Sequence, residues 1–112
     1  ACGRAAGGPA TAIRADMDAL PINENSGVSF CSTKPGHMHA CGHDGHMAMA
    51  LAAACWVNDV LAQVHAGAAC PLPRNVLFVF QPAEETTGGA RTVCESGVFE
   101  RYHADRIFGF HV

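Results

Sequence analysis

Histidine and cysteine are concentrated in one short stretch of this sequence. Four of its seven histidines (His37, His39, His43 and His46) fall within ten residues, and Cys41 lies among them. Cys41 and His43 are two residues apart in a segment without helical periodicity, so their side chains are expected to point to the same side. A thiolate and an imidazole that face one point suit Zn²⁺ or a similar divalent ion. The alternative is a buried cysteine near a helix cap and a surface histidine.

Carboxylates form a second group of candidate residues. Glu84 and Glu85 are adjacent in a non-helical segment, so their side chains diverge, and one can bind a metal while the other stays free. A free carboxylate beside a metal site can take a proton from water and deliver it to a leaving group, as hydrolysis requires. Asp16 and Asp18 form another candidate pair. Both pairs also fit ordinary polar turns, so the chemistry depends on what surrounds them.

The elements that must position these residues alternate along the chain. Strands are predicted at residues 11–15, 75–80 and 106–112, and helices at residues 45–65 and 87–96. The segment 75–80 is a continuous apolar run, which is typical of a strand buried on both faces of a parallel sheet. The first helix is apolar on nearly all faces and is therefore expected to be buried. This order predicts an α/β fold with a mostly parallel sheet flanked by helices.

The candidate residues all fall near one edge of that sheet. Asp16 and Asp18 follow the first strand, the two glutamates follow the second, and His111 lies at the end of the third. Cys41 and His43 come just before the long helix. Open parallel sheets bind ligands beyond the carboxyl ends of their strands. We therefore expect these side chains to converge, although His111 alone would be an ordinary strand-end histidine.

Composition narrows the classes of function. The 112 residues are 49% hydrophobic and 15% charged, which indicates one globular domain. The net charge of −3 and the scattered basic residues argue against a nucleic-acid partner. The longest apolar run, residues 47–57, is too short to cross a membrane, and no signal peptide is visible. Six cysteines without paired spacing indicate reduced thiols and a cytoplasmic location. Both ends look cut, so we expect a piece of a longer protein.

Several segments together resemble a known enzyme family. They are residues 14–21 (RADMDALP), 38–46 (MHACGHDGH), 80–85 (FQPAEE) with the Gly-Gly-Ala at 88–90, and 107–112 (IFGFHV). Over nearly its whole length the chain is similar to the metal-dependent amidohydrolases of the aminoacylase/carboxypeptidase-like superfamily. The most similar subgroup contains hippurate hydrolases, indole-acetyl-amino-acid hydrolases and N-acetyldiaminopimelate deacetylases. The resemblance implies part of a zinc-peptidase-like catalytic domain.

The resemblance also implies roles for particular residues. Four of them correspond to metal ligands: Cys41, His43, Glu85 and His111. Glu84 corresponds to the catalytic general acid and base, and Asp18 to an aspartate that orients a ligand histidine. In the wider superfamily a ligand histidine stands two residues before that aspartate, whereas this chain has Asp16 there. The resemblance assigns no definite role to His46, which lies one helical turn from the ligands, and we expect it to cap the helix or to support a ligand.

The activity implied is metal-dependent hydrolysis of the amide bond of an N-acyl amino acid or a similar small amide. Two divalent ions (Zn²⁺, Mn²⁺, Co²⁺ or Ni²⁺) would serve as cofactors. Members of the family continue beyond residue 112 into a lid and dimerisation domain and a further ligand histidine, so the parent is expected to form a homo-oligomer. The alternative is a metal-binding fragment without activity. A thiol-redox protein is disfavoured because the sequence has no Cys-x-x-Cys.

Overall fold

Three parallel strands form the sheet of this protein in the computed structural model, which describes residues 7–86 and 88–111. β1 is Ala10–Asp16, β2 is Asn75–Gln81 and β3 is Ala104–Gly109. Their order across the sheet is β2-β1-β3, and β1 pairs in parallel with both neighbours. Parallel neighbours need crossover connections, and helices lie between the strands along the chain. The predicted α/β fold is confirmed.

The third strand differs most from its predicted range. It begins at Ala104 and ends at Gly109, whereas the sequence predicts a strand over residues 106–112. Phe110 and His111 therefore follow the strand, and Val112 lies outside the described residues. β3 is an outer strand of the sheet, and most of its residues are exposed. The apolar sequence there correctly indicates a strand but not where its pairing stops.

The long helix, α1, spans His43–His65 and begins two residues before its predicted start at residue 45. Gly42 precedes it with a φ of 74°, a left-handed conformation that glycine adopts without strain and that turns the chain into the helix. His43 therefore lies in the first helical turn rather than in the preceding loop. His46 follows three residues later, which places both rings on the same face of α1.

The prediction that α1 is buried is wrong for the part of the chain that the structure describes. Its buried residues form one stripe: His43, His46, Ala50, Val57 and Val60. Met49, Leu51 and Trp56 are exposed on the other side. The reason is that one face of α1 packs on β1 and β2, and no described element covers the other face. By length and composition α1 could cross a membrane; in the structure its two buried histidines bind the carboxylates of Asp16 and Asp18, at and just beyond the end of β1.

Two short helices cover the other side of the sheet. α2 is Gly89–Glu95 and α3 is Val98–Arg101. The sequence predicts one helix over residues 87–96, which corresponds to α2, and it does not predict α3. Gly97, with a φ of 69°, separates them, and Thr87 lies outside the described residues. A four-residue helix is too short to show a periodic pattern. Partly buried side chains of this region pack on a core of strand residues: Ala10, Ala12, Leu77 and Val79.

Candidate metal centre

The candidate residues from β1, β2 and α1 meet at the carboxyl edge of the sheet. Asp18 lies two residues beyond β1, and Glu84 and Glu85 follow β2. His43 begins α1, which packs against β1. This is the edge at which parallel sheets bind ligands. The expected convergence is therefore present for these four residues.

The imidazole of His43 is anchored through one of its two nitrogens. The residue is 1% exposed, and its Nδ1 lies 3.0 Å from both the carboxylate Oδ1 and the backbone carbonyl oxygen of Asp18. Both partners are acceptors, so Nδ1 carries a proton and donates it. In the neutral ring Nε2 then keeps its lone pair, which is the form in which histidine binds a metal.

The Nε2 atom of His43 is a buried polar atom without a hydrogen-bond partner among the described residues. Glu85 Oε1 lies 3.7 Å from it and Glu84 Oε2 lies 3.8 Å from it. These distances exceed those of hydrogen bonds, and an unsatisfied buried group costs about 1–3 kcal/mol. A divalent cation between the three groups would satisfy them all. The donor set therefore fits a metal ion.

Cys41 completes a set of three ligand residues. Its sulfur, one nitrogen of His43 and one carboxylate oxygen of Glu85 all lie within 4.8 Å of one another. A hydrogen bond to Glu85 raises the pKa of the Cys41 thiol, and burial and the nearby carboxylates raise it further. The thiolate is the form that binds metals, so a cation must displace the thiol proton. A mixture of thiolate, imidazole and carboxylate suits Zn²⁺ and similar ions.

Asp18 connects the histidine to the glutamate loop. One of its carboxylate oxygens accepts the hydrogen bond from His43, and the other accepts a 3.0 Å hydrogen bond from the backbone N–H of Glu85. Burial would raise the pKa of Asp18, but backbone N–H groups of Glu85 and Glu84 outweigh it and lower the pKa. Asp18 is thus a carboxylate that fixes the position of His43 relative to the glutamate loop. The contact to Glu85 has no signal in the sequence.

Backbone geometry fixes the direction of the two glutamates. Ala83, just before them, adopts a φ of 51°, which is uncommon for a residue other than glycine. The loop then passes close to α2: a Cβ on Gly89 would lie 1.9 Å from the carbonyl oxygen of Pro82. Only glycine allows this approach. The Gly-Gly pair at residues 88 and 89 therefore helps to hold Glu84 and Glu85 beside His43.

Asp16 and His46 form a second buried polar group beside the first. His46 Nδ1 lies 2.5 Å from Asp16 Oδ1, and Arg14 Nη1 donates to Asp16 Oδ2 at 2.6 Å. Burial would raise the pKa of Asp16, but the hydrogen bond from His46 and the charge of Arg14 lower it. Arg14 had no predicted role. Its only signal was the two-residue spacing from Asp16, which places both side chains on one face of β1.

His111, the fourth ligand in the prediction, lies apart from the three-residue set. Its ring centroid is 5.7 Å from that of His46, and the His46 centroid is 5.6 Å from that of His43. The structure thus brings Cys41, His43 and Glu85 together and places the His111 ring against that of His46. The ligand roles themselves stay predictions.

The fold and site together define an α/β protein with a candidate metal centre at the carboxyl edge of a parallel sheet. Comparison with known families gives a narrower assignment. The family described as Peptidase family M20/M25/M40 matches residues 12–112, and the chain belongs to this family. The family resemblance drawn from the sequence motifs is therefore confirmed.

Curated relatives and solved structures agree with this assignment. The chain is 48% identical over 99 residues to the N-acetyldiaminopimelate deacetylase of Listeria monocytogenes serotype 4a. This match covers 88% of the chain and 24% of that protein. A crystal structure of the Bacillus subtilis YXEP protein, described as a dinuclear metal-binding peptidase of the M20 family, superposes with a TM-score of 0.79 at 46% identity. That match covers 93% of this chain and 26% of the other.

A second solved structure, a putative aminohydrolase from methicillin-resistant Staphylococcus aureus, gives a TM-score of 0.69 at 39% identity. It covers 94% of this chain and 25% of that one. The chain therefore spans about a quarter of the length of the relatives that it matches. Their parallel-sheet catalytic fold is the fold observed here.

Proposed function

We propose that this chain is part of the catalytic domain of a longer, metal-dependent amidohydrolase. Its reaction is hydrolysis of the amide bond of an N-acyl amino acid or a similar small amide to a carboxylate and an amine. The observation that carries the proposal is the buried Nε2 of His43, which faces Glu84 and Glu85 without a proton donor. The similarity to a deacetylase of an N-acetylated amino acid supports the amide substrate.

The metal would be held by Cys41, His43 and Glu85, with His111 as a further ligand in the assembled enzyme. Two divalent ions, of Zn²⁺, Mn²⁺, Co²⁺ or Ni²⁺, are proposed because the Bacillus subtilis relative is described as dinuclear. When bound, such ions supply Lewis acidity, which lowers the pKa of water and polarises an amide carbonyl. Asp18 fixes the His43 tautomer and increases the basicity of its Nε2.

Glu84 is the proposed general base and acid. Its carboxylate is partly exposed, and its Oε2 lies 3.8 Å from His43 Nε2, so it borders the candidate metal position and is open to water and substrate. It would take a proton from the attacking water and deliver that proton to the leaving nitrogen, so that the amine departs neutral. General acid–base help of this kind contributes about 10²–10⁴-fold to the rate.

A second candidate is a metal-binding chain that does not catalyse by itself. Glu84 and Glu85 have side chains that are 37% and 30% exposed, so the described residues do not close the site from water. Amide hydrolysis at a metal centre benefits from a cavity that excludes solvent. We propose that a lid and dimerisation domain of the longer protein supplies this closure and makes the protein a homo-oligomer.

The free thiols of the five described cysteines support a cytoplasmic location.

The test is a hydrolysis assay on the full-length enzyme after removal and return of metal. N-acetyl amino acids and hippurate should be cleaved when Mn²⁺, Co²⁺, Ni²⁺ or Zn²⁺ is returned, and not by the metal-free protein. The 112-residue chain alone should show a kcat/KM far below that of the full-length enzyme. Hydrolysis that survives complete metal removal would overturn the proposal. Equal kcat/KM for the chain and the full-length enzyme would refute the need for closure.

A further inference from the structure

We infer that Asp16 and His46 are a positioning pair that sets the spacing of the ligands His43 and His111, and that neither binds the metal. The inference rests on the proposed metal centre and assigns a task to two residues that have none there. Both are almost fully buried, at 1% and 2% exposure. Burying such groups costs folding free energy unless hydrogen bonds or opposite charges satisfy them.

The pairing around Asp16 explains how a charged group is accommodated there. One oxygen accepts a hydrogen bond from His46 Nδ1 at 2.5 Å, and the other accepts one from Arg14 Nη1 at 2.6 Å. Arg14 in turn donates from Nε to Gln81 Oε1 at 3.0 Å, which ties the group to the end of β2. The carboxylate is therefore anchored from two strands. Its anchoring fixes the plane of the His46 ring.

The ring of His46 contacts the rings of both predicted histidine ligands. It stacks on His43 with a centroid distance of 5.6 Å and an interplanar angle of 27°. The His111 ring is tilted relative to it by 45°, with a centroid distance of 5.7 Å. His111 follows an exposed edge strand, and its ring contact in the described residues is with His46. The anchored ring can therefore fix the position of each predicted ligand through its contact with that ligand's ring.

A competing interpretation makes Asp16 and His46 ligands themselves. Asp16, His43 and His46 do place ligand atoms within 4.8 Å of one another. The contacts of Asp16 argue against it: one carboxylate oxygen already accepts from His46 Nδ1, and the other already accepts from the Arg14 guanidinium, which neutralises its charge. His43 Nε2 is also 3.9 Å from Asp16 but closer to both glutamates. His43 Nε2 therefore borders both sets, and the occupied oxygens of Asp16 favour the glutamates as its metal-binding neighbours.

The experiment is a Co²⁺ titration of the metal-free full-length enzyme and three variants. His46→Asn removes the ring but keeps a donor, and Asp16→Asn removes the charge but keeps the shape. His65→Asn, the same change in the exposed last turn of α1, is the matched control. Both test variants should bind as many Co²⁺ ions as the wild type, with affinity about 10–100-fold weaker. Their cobalt d–d absorption should shift because the ligand geometry changes, and the control should match the wild type.

Each result separates the possible failures. If either test variant binds one ion fewer, the pair supplies ligands and the inference is wrong. If affinity and spectrum match the control, the pair does not position the site, which also overturns it. If the wild type binds no Co²⁺, the proposed function itself fails. For a variant that does not fold, ¹⁵N spectra of histidine in the zinc-loaded wild type decide: His46 must show a protonated Nδ1 and no metal-bound nitrogen.

Discussion

Replacing Asp18 by asparagine tests the link between the histidine and the glutamate loop. The two carboxylate oxygens of Asp18 each accept a 3.0 Å hydrogen bond, one from His43 Nδ1 and one from the Glu85 N–H. An asparagine side chain has one oxygen and one NH₂ group. It can therefore accept from only one of the two donors, and its NH₂ group must face the other. Asp18→Asn keeps the shape of the side chain but must break one of these contacts.

The size of the effect follows from the contact that is lost. A hydrogen bond that involves a charged group contributes about 1.5–3 kcal/mol. The part of this contribution that is larger in the metal-bound than in the metal-free state changes the affinity, and a difference of about 1.4–2.8 kcal/mol corresponds to about 10- to 100-fold weaker binding. Residues that support metal ligands in other proteins show the same range. We expect this loss of affinity with little change in the number of ions bound.

The assay is competition between the full-length enzyme and a chromophoric zinc chelator. Asp59→Asn, the same substitution at an exposed position of α1, is the matched control, and it should bind zinc as tightly as the wild type. The melting temperature of each metal-free variant is measured alongside to detect a general loss of structure. If Asp18→Asn and Asp59→Asn bind zinc equally well, the proposed support of His43 by Asp18 is refuted.

Three further predictions concern the glutamates, the loop and the thiol. Glu84→Gln should keep its metal and lose about 10²–10⁴-fold in kcat, whereas Glu85→Gln should lose metal and activity together; equal metal loss in both, by elemental analysis, would mean that the roles are wrong. Gly89→Ala places a Cβ 1.9 Å from a backbone carbonyl oxygen and should lower the melting temperature and the metal content. Gly45→Ala, which meets nothing within 4 Å, should not, and equal melting temperatures would contradict the close approach. Because its pKa is raised, the Cys41 thiol is protonated at neutral pH, so zinc affinity should rise with pH and binding should release a proton. Cys41→Ser should release about one proton fewer in a lightly buffered titration, and an unchanged proton count would exclude Cys41 as a ligand.

Periodicity and turn residues were enough to predict the fold and the edge at which the site lies. The apolar run before Glu84 marks β2, and the polar residues that follow each strand share one edge because parallel strands end together. The predictions that were wrong concern the burial and the start of α1, which depend on the surroundings of that helix. The exposed face of α1 reflects which segments are present to cover it, and the start of α1 depends on the backbone conformation of Gly42.

The internal order of the site was less accessible from the sequence. The Asp18 contacts join residues that are 25 and 67 positions apart, and no local pattern reports such distances. The Asp16–His46 pair is similar, with 30 positions between its members. Placing His46 on the face of His43 needed the true start of α1, because both residues share a face only if the helix includes them. Residue types identified the chemistry, and tertiary contacts decided which groups face each other.

Cys41, His43 and Glu85 are proposed to hold a metal ion, and the absorption of bound cobalt reports directly on a sulfur ligand. A thiolate bound to Co²⁺ gives a near-ultraviolet sulfur-to-metal charge-transfer band. The cobalt-loaded full-length enzyme should show this band, Cys41→Ser should lose it, and Cys55→Ser, at an exposed cysteine of α1, should keep it. A band that persists in Cys41→Ser, or that is absent from the cobalt-loaded wild type, would contradict the assignment of Cys41 to the metal centre.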